Sequence, residues 1–238
     1  MDRRLPRYQL LRDQLAARIA ALEWRFDEPL PTEQELAASY GLAVGTVRKA
    51  IDVLEKEGAL SRFQGRGTFI RRANFDRSLL RFFRFLDARG RRQIPQGKIQ
   101  SRKTKRPPAH VANALGIEAG IAALQLKRLR LIDAKPLVSE EIWLPLSRFG
   151  KLEKLPIDDF GNLLYPLYES LCGQVVARAS ERLTIDLAND SDIETLKLQD
   201  AGSVVVIERI AYGLDGSALE WRISRGNPGH FSYTVDIR

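Results

Sequence analysis

Arg128, Arg130 and Glu140 are the residues of this chain best suited to gripping a charged small molecule. Period two along residues 122–133 puts Leu124, Leu126, Arg128 and Arg130 on one face of a strand, and along 136–144 it groups Val138, Glu140, Ile142 and Leu144. If residues 133–135 form the loop between them, paired positions sum to 268 and Arg128 lies opposite Glu140. An arginine fork gives paired, charge-assisted hydrogen bonds to a carboxylate or phosphate, and apolar neighbours strengthen them by excluding water. The same charges also suit a structural salt-bridge cluster, and residue types alone leave both readings open.

A second constellation suits a polyanion. Thr46, Arg48 and Lys49 fall on the outward side of a helix predicted over 44–57, whose Val47, Ala50, Ile51 and Leu54 follow the i, i+3, i+4, i+7 rule and pack inward. Just beyond, Gln64-Gly65-Arg66-Gly67 reads as the flexible basic tip of a two-stranded ribbon over 59–71. A preceding helix starts at a capping box, Thr32-x-x-Glu35, and stops at Gly41. The three-residue turn 41–43 is about the length that sets one helix steeply across another. Helix, turn, helix and ribbon make a winged helix-turn-helix, with an earlier helix over 8–23 (Leu11, Leu15, Ile19, Leu22) supporting it. Thr32 and Glu33, at the start of the first helix of the pair, join the candidate DNA contacts.

The whole chain, 238 residues with 44% hydrophobic content, is long enough for two domains. Its net charge is +8, distributed as +3 over residues 1–72, +9 over 73–106 and −4 over 107–238. The basic character therefore lies in or beside the first domain, as nucleic-acid binding requires. No apolar run approaches the roughly 18 residues of a membrane helix and the amino terminus has no signal core, so a cytoplasmic protein is expected. One cysteine, Cys172, excludes an internal disulfide and a CxxC clamp, and two histidines, His110 and His230, argue against zinc. No cofactor or metal is expected.

Residues 73–77 read as a connector, followed by a helix capped by Ser78 and ended by Gly90, then a basic run at 102–106 that could lie along a DNA backbone or simply be solvated. A short helix over 109–115 closes at Gly116, and another spans 162–171 before Gly173. Strands are predicted over 122–133, 136–144, 180–187, 204–213, 218–224 and 231–237, with a Ser191-x-x-Glu194 capping box between the third and fourth. Strand runs with helices to one side describe an α+β domain around an antiparallel sheet.

The first domain, expected over 1–72, resembles the GntR family of bacterial transcription regulators through LPTEQELAASYG, TVRKAIDVLEKEGAL and GRGTF in order and spacing. Ala43-Val44 stands where that family often has Ser-Arg, so the recognition helix lacks its hydroxyl cap. Residues 78–238 resemble the UTRA effector-sensing domain, which has a chorismate-lyase-like fold, through KRLRLID, PLVSEEIWLP, LYESL, LEWRISRG and FSYTVDI. That resemblance makes Arg128, Arg130 and Glu140 effector contacts and adds Tyr168, Glu220, Arg222 and Tyr233 at further pocket positions. Pro166 replaces a Ser that contacts phosphate in sugar-phosphate-sensing relatives, which argues against a sugar phosphate.

These observations imply a ligand-responsive DNA-binding regulator, a repressor released from an inverted-repeat operator by a small anionic or carboxylate-bearing effector and acting as a homodimer. Two alternatives stay open. One is an architectural DNA-binding protein without a ligand; the other is a chorismate-lyase-like enzyme fused to a DNA-binding module, for which no nucleophile elbow, metal-ligand spacing or catalytic carboxylate pair is present.

Overall fold

A computed structural model describes residues 5–21, 23–26, 28–70, 95–199 and 202–231. The connector and helix expected over 73–90, the last strand and Tyr233 lie outside the described residues. The described chain forms two compact units, the first built on 5–70 and the second on most of 95–231.

In the first unit, α1 (Arg7–Ala20), α2 (Glu33–Tyr40) and α3 (Val44–Lys56) precede an antiparallel ribbon of β1 (Leu60–Phe63) and β2 (Gly67–Ile70). Apolar spacing decides the packing: Leu11, Leu15 and Ile19 of α1, Leu36 of α2, and Val47, Ala50, Ile51 and Leu54 of α3 are all buried in one core with Leu60 and Ile70. Each large aliphatic side chain so placed contributes about 1.5–3 kcal/mol. The expected capping box is present, Glu35 N–H donating to Thr32 Oγ1 at 3.2 Å and Thr32 N–H to Glu35 Oε2 at 2.7 Å. Gly41 ends α2 at φ 62°, and α3 begins at Ala43 without a side-chain cap.

The second unit is a six-stranded antiparallel sheet in the order β3-β4-β5-β8-β7-β6. Its strands are β3 (Gln96–Lys105), β4 (Ala123–Ile132), β5 (Lys135–Pro145), β6 (Val176–Leu187), β7 (Ser203–Gly213) and β8 (Ala218–Gly226). The register predicted from alternation is the one found: Arg128 pairs with Glu140 and Leu124 with Leu144, both summing to 268. The loop is shorter than expected, a two-residue turn of Asp133 and Ala134 at φ 48° and 61°, the conformation whose twist suits a hairpin. A one-residue register shift after Arg130 absorbs the difference.

Helices α4 (Ala109–Leu115), α5 (Leu146–Phe149), α6 (Leu164–Cys172) and α7 (Asp190–Leu196) accompany the sheet. Val111 and Leu115 of α4 pack with Ala123, Trp143 and Trp221 on one sheet face, and Leu196 of α7 with Val204 and Val206.

Three expectations need correction. The capping box before α7 is Asn189 with Asp192, not Ser191 with Glu194: Asn189 accepts from Asp192 N–H at 2.9 Å and starts the helix earlier. Strand β6 begins at Val176 rather than 180, because Val176 and Ala177 are buried. The helix expected over 162–171 starts at Leu164, leaving Asn162 in a loop.

Candidate functional site

The first-unit candidates sit on the elements expected of them. Thr46, Arg48 and Lys49 lie on the first turn and a half of α3, Arg48 and Lys49 exposed and Thr46 half-buried. Arg48 Nε donates to Glu33 Oε2 at 2.8 Å, and Arg62 of β1 reaches Glu33 at 3.2 Å, Glu55 at 3.0 Å and Asp52 at 2.5 Å. Exposed ion pairs of this kind contribute about 0–1 kcal/mol, so Arg48 can exchange Glu33 for another acceptor at little cost. Lys49 lies over the Tyr8 ring at 4.2 Å. Thr32 is occupied as a helix cap. At the ribbon tip Gln64, Gly65 and Arg66 form the turn, with Gly65 at φ 73° and Gly67 at φ 110°. A Cβ at Gly67 would stand 3.0 Å from Pro29 Cβ, so both backbone angle and space require glycine there.

The second constellation is buried. Strand alternation brings Arg128 and Arg130 of β4, Glu140 of β5, Glu220 and Arg222 of β8, and Arg209 of β7 to one sheet face, each 5% exposed or less. Arg128 Nε donates to Glu140 Oε2 at 2.5 Å; Arg130 Nε lies 3.4 Å from the same oxygen, and Arg222 Nη1 donates to Glu140 Oε1 at 3.3 Å. Arg222 Nη2 also donates to Glu220 Oε2 at 2.7 Å. Helix α6 contributes Tyr168, whose hydroxyl donates to Glu220 at 2.7 Å, and Tyr165, whose hydroxyl donates to Glu220 at 3.2 Å and accepts from Arg209 at 3.3 Å. Arg209 completes the row by donating to Glu181 of β6 at 2.6 Å.

Among the described residues, Arg128, Arg130 and Arg222 face Glu140 and Glu220, while Glu181 holds Arg209. Burial would raise the Glu140 carboxyl, but the guanidiniums of Arg128, Arg130 and Arg222 outweigh it and hold it far below the carboxylate range. Glu220 is lowered for the same reason, Arg222 opposing its burial. Burial raises Tyr168 well above its ordinary value, Glu220 adding to the shift, so its hydroxyl stays a donor. Arg130 is the under-neutralised member: burial brings it down to about 10, Glu140 only partly opposing. Among the described residues, buried Arg128 Nη1 and Nη2, Arg130 Nε and Arg222 Nε have no hydrogen-bond partner. Buried guanidinium donors normally find one, so the arrangement fits a pocket wall that an anion completes. Glu140 spends both oxygens on arginines, which makes it the anchor of the guanidiniums as much as a contact for a ligand hydroxyl or amine.

Sequence reading missed Arg209, Tyr165 and Asn162. Arg209 was findable, because it follows Val205 and Ile207 at period two; Tyr165 lies one turn before Tyr168; Asn162 carries no signal. Asn162 accepts from Arg130 Nη1 through its backbone oxygen at 3.0 Å and from Gly97 N–H through Oδ1 at 2.5 Å. Gly97 is opposite Arg130 in the β3–β4 register, and a Cβ there would come within 3.2 Å of Arg130 Nη1 and 3.1 Å of the Asn162 oxygen. Gly97→Ala is therefore expected to displace Arg130 and cost about 1–3 kcal/mol as an overpacked site. A melting temperature equal to wild type would contradict this.

Pro166 stands exposed in the first turn of α6, where a missing N–H costs nothing. A cleft of about 580 Å³ is lined by Lys127, Arg128 and Leu129 of β4, Ser139, Glu140 and Glu141 of β5, Arg225 of β8 and Asp192 of α7. Its Arg225 and Asp192 are paired at 2.9 Å. Among the described residues no group of His, Cys, Asp and Glu is arranged to hold a metal ion, and no helix is long and apolar enough to cross a membrane.

Comparison with known proteins covers both units. The model of bacterial regulatory proteins of the gntR family matches residues 7–70, and that of the UTRA domain matches residues 90–232. The chain is 28% identical over 235 residues to the HTH-type transcriptional repressor NagR of Bacillus subtilis (strain 168), covering 98% of this chain and 96% of that one. It is 27% identical over 209 residues to a probable fructoselysine utilization operon transcriptional repressor of Escherichia coli (strain K12), covering 86% and 84%. Among solved structures, PhnF from Mycobacterium smegmatis shares the fold with a TM-score of 0.56 at 23% identity, over 95% of this chain and 98% of that one.

Proposed function

This chain belongs to the gntR family of bacterial regulatory proteins, in the branch carrying a UTRA domain, and from that membership we propose a transcriptional repressor whose DNA affinity is set by a small anionic effector. It acts as a transcription regulator, as its named relatives do. The observation that carries the effector reading is the buried cluster with orphaned donors on Arg128, Arg130 and Arg222. A carboxylate or phosphate supplies the missing acceptors. Arg128 offers both terminal nitrogens side by side, the geometry for a bidentate anion.

On the DNA side, Arg48 with Thr46 and Lys49 enters the major groove while Arg66, at the glycine-flanked tip, follows the backbone or minor groove. A homodimer places two such units on an inverted repeat. Selection from a random duplex pool tests this: a two-fold symmetric consensus is expected, and recovery of unrelated sequences would favour an architectural protein.

Effector binding is tested by thermal shift against anionic metabolites. A ligand at 100 times its dissociation constant adds about 2.7 kcal/mol of stability. Arg128→Gln, once shown to be folded, is expected to keep operator affinity and lose the shift. A folded Arg128→Gln protein with the full wild-type shift would overturn the assignment, as would the same result for Arg130→Ala.

A further inference from the structure

Arg130 is held from outside the cluster as well as from inside it. Its Nη1 donates to the backbone oxygen of Asn162 at 3.0 Å, lies 3.3 Å from Asn162 Oδ1 and reaches the Pro95 oxygen at 3.5 Å. Asn162 Oδ1 in turn accepts from Gly97 N–H at 2.5 Å. Pro95 opens the described part of the second unit and Gly97 lies at the start of β3, so the arginine and the beginning of that strand are tied to one side chain. The guanidinium crosses β3 to reach Asn162 over a residue without a Cβ, and the close approaches at Gly97 leave no room for one. Asn162 itself is exposed, on the loop between Phe160 and Leu164.

The two sides of this guanidinium pull against each other. In a planar guanidinium the fork formed by Nε and Nη2 faces directly away from Nη1. On the Asn162 side, Nη1 meets neutral oxygens. On the cluster side, Nε is buried without a hydrogen-bond partner among the described residues, 3.4 Å from Glu140 Oε2. An anion at Nε offers a charge-assisted bond, about twice as strong as a neutral one, and drawing the rigid plane toward it takes Nη1 off Asn162.

We propose that Asn162 is a positioning residue that competes with the effector for Arg130: its hold keeps the arginine back and pins the start of β3, and a bound anion releases both. This rests on the anion-binding reading of the cluster and gives that site a mechanical output at residues 95–97. Removing the Asn162 side chain frees Arg130 for the anion, whereas a carboxylate in its place holds the arginine harder.

The competition is tested on the full-length protein with inorganic phosphate as the anion, by thermal shift and by hydrogen exchange of isotope-labelled glycine amides. A ligand that only stabilises the fold slows exchange at every protected amide. Here phosphate should raise the melting temperature and yet speed exchange at Gly97 about tenfold, because the acceptor of that amide has lost its second tether. In Asn162→Ala the half-saturating phosphate concentration should fall about threefold, and Gly97 should exchange fast with or without phosphate. In Asn162→Asp that concentration should rise about tenfold. Gly97 exchange that slows with the other amides in phosphate, or Ala and Asp variants that both bind phosphate as the wild type does, overturns the role of Asn162 while leaving the anion site in place. A wild type whose melting temperature phosphate does not raise overturns the anion site itself, and the competition with it.

Discussion

Replacing Glu140 with alanine is expected to destabilise the second unit by about 3–5 kcal/mol, because it strands Arg128, Arg130 and Arg222 as buried charges with most of their compensation gone. The contrast with the first unit sharpens the expectation. Glu33 also holds two arginines, but Arg48 and Arg62 there are 63% and 34% exposed, and Glu33→Ala should cost less than about 1 kcal/mol. Water, not the count of ion pairs, decides between them. Urea unfolding followed by tryptophan fluorescence, to which Trp143 and Trp221 of the same sheet contribute, measures both; equal midpoint shifts for the two variants would show that the cluster is not electrostatically buried.

The same carboxylates set an acid limit. Glu140 and Glu220 are depressed in the native state, so their contribution is complete above the ordinary glutamate value of 4.5 and declines as pH falls below it toward their native values. The urea midpoint should therefore be steady from pH 7 to about 5 and fall steeply below. A midpoint unchanged at pH 3 would contradict the assigned protonation.

The second large effect belongs to the DNA surface. Arg48→Ala should reduce operator affinity by about 1–3 kcal/mol if Arg48 reads a guanine edge, which is about 5- to 150-fold, and should relax preference at one operator position. Arg66→Ala, if Arg66 contacts the backbone from the ribbon tip, should weaken binding to all duplexes alike and lower the salt slope by about one. Anisotropy titrations over a salt series separate the two; unchanged binding by Arg48→Ala would mean that α3 does not present its first turn to the bases.

What was legible in the residues follows from how each element is buried. Strands β4 and β5 share an alternating pattern and a tight turn between them, and a slip by one residue would have taken Leu124, Leu126, Ile142 and Leu144 off the face they share; their pairing was therefore fixed. The winged unit was legible because cap, glycine stop and apolar period agree in order. Strand β3 was not, since Ile99 is the one buried side chain among its ten residues and four others are charged: an edge strand needs little apolar content, and its residues from 102 on read only as a basic run. The cap of α7 was misplaced because Ser191-x-x-Glu194 and Asn189 with Asp192 both satisfy local capping chemistry, and only the described contacts between Arg225 and Asp192 favour the second. Tyr165 and Asn162 meet Arg209 and Arg130 across long sequence separations that no local period encodes.

The charged sheet face also shapes how heat acts on the protein. Apolar surface exposed on unfolding raises heat capacity by about 0.45 cal/K/mol/Å² and polar surface lowers it by about 0.26. The first unit packs Leu11, Ile19, Ile51, Leu54 and their neighbours hydrocarbon to hydrocarbon. The second devotes much of one face to guanidiniums, carboxylates and phenols, so its unfolding releases polar area against the apolar area of Trp143, Trp221 and Val204. Per residue its heat-capacity increment is therefore expected to be smaller, and its stability curve flatter, than those of the first unit.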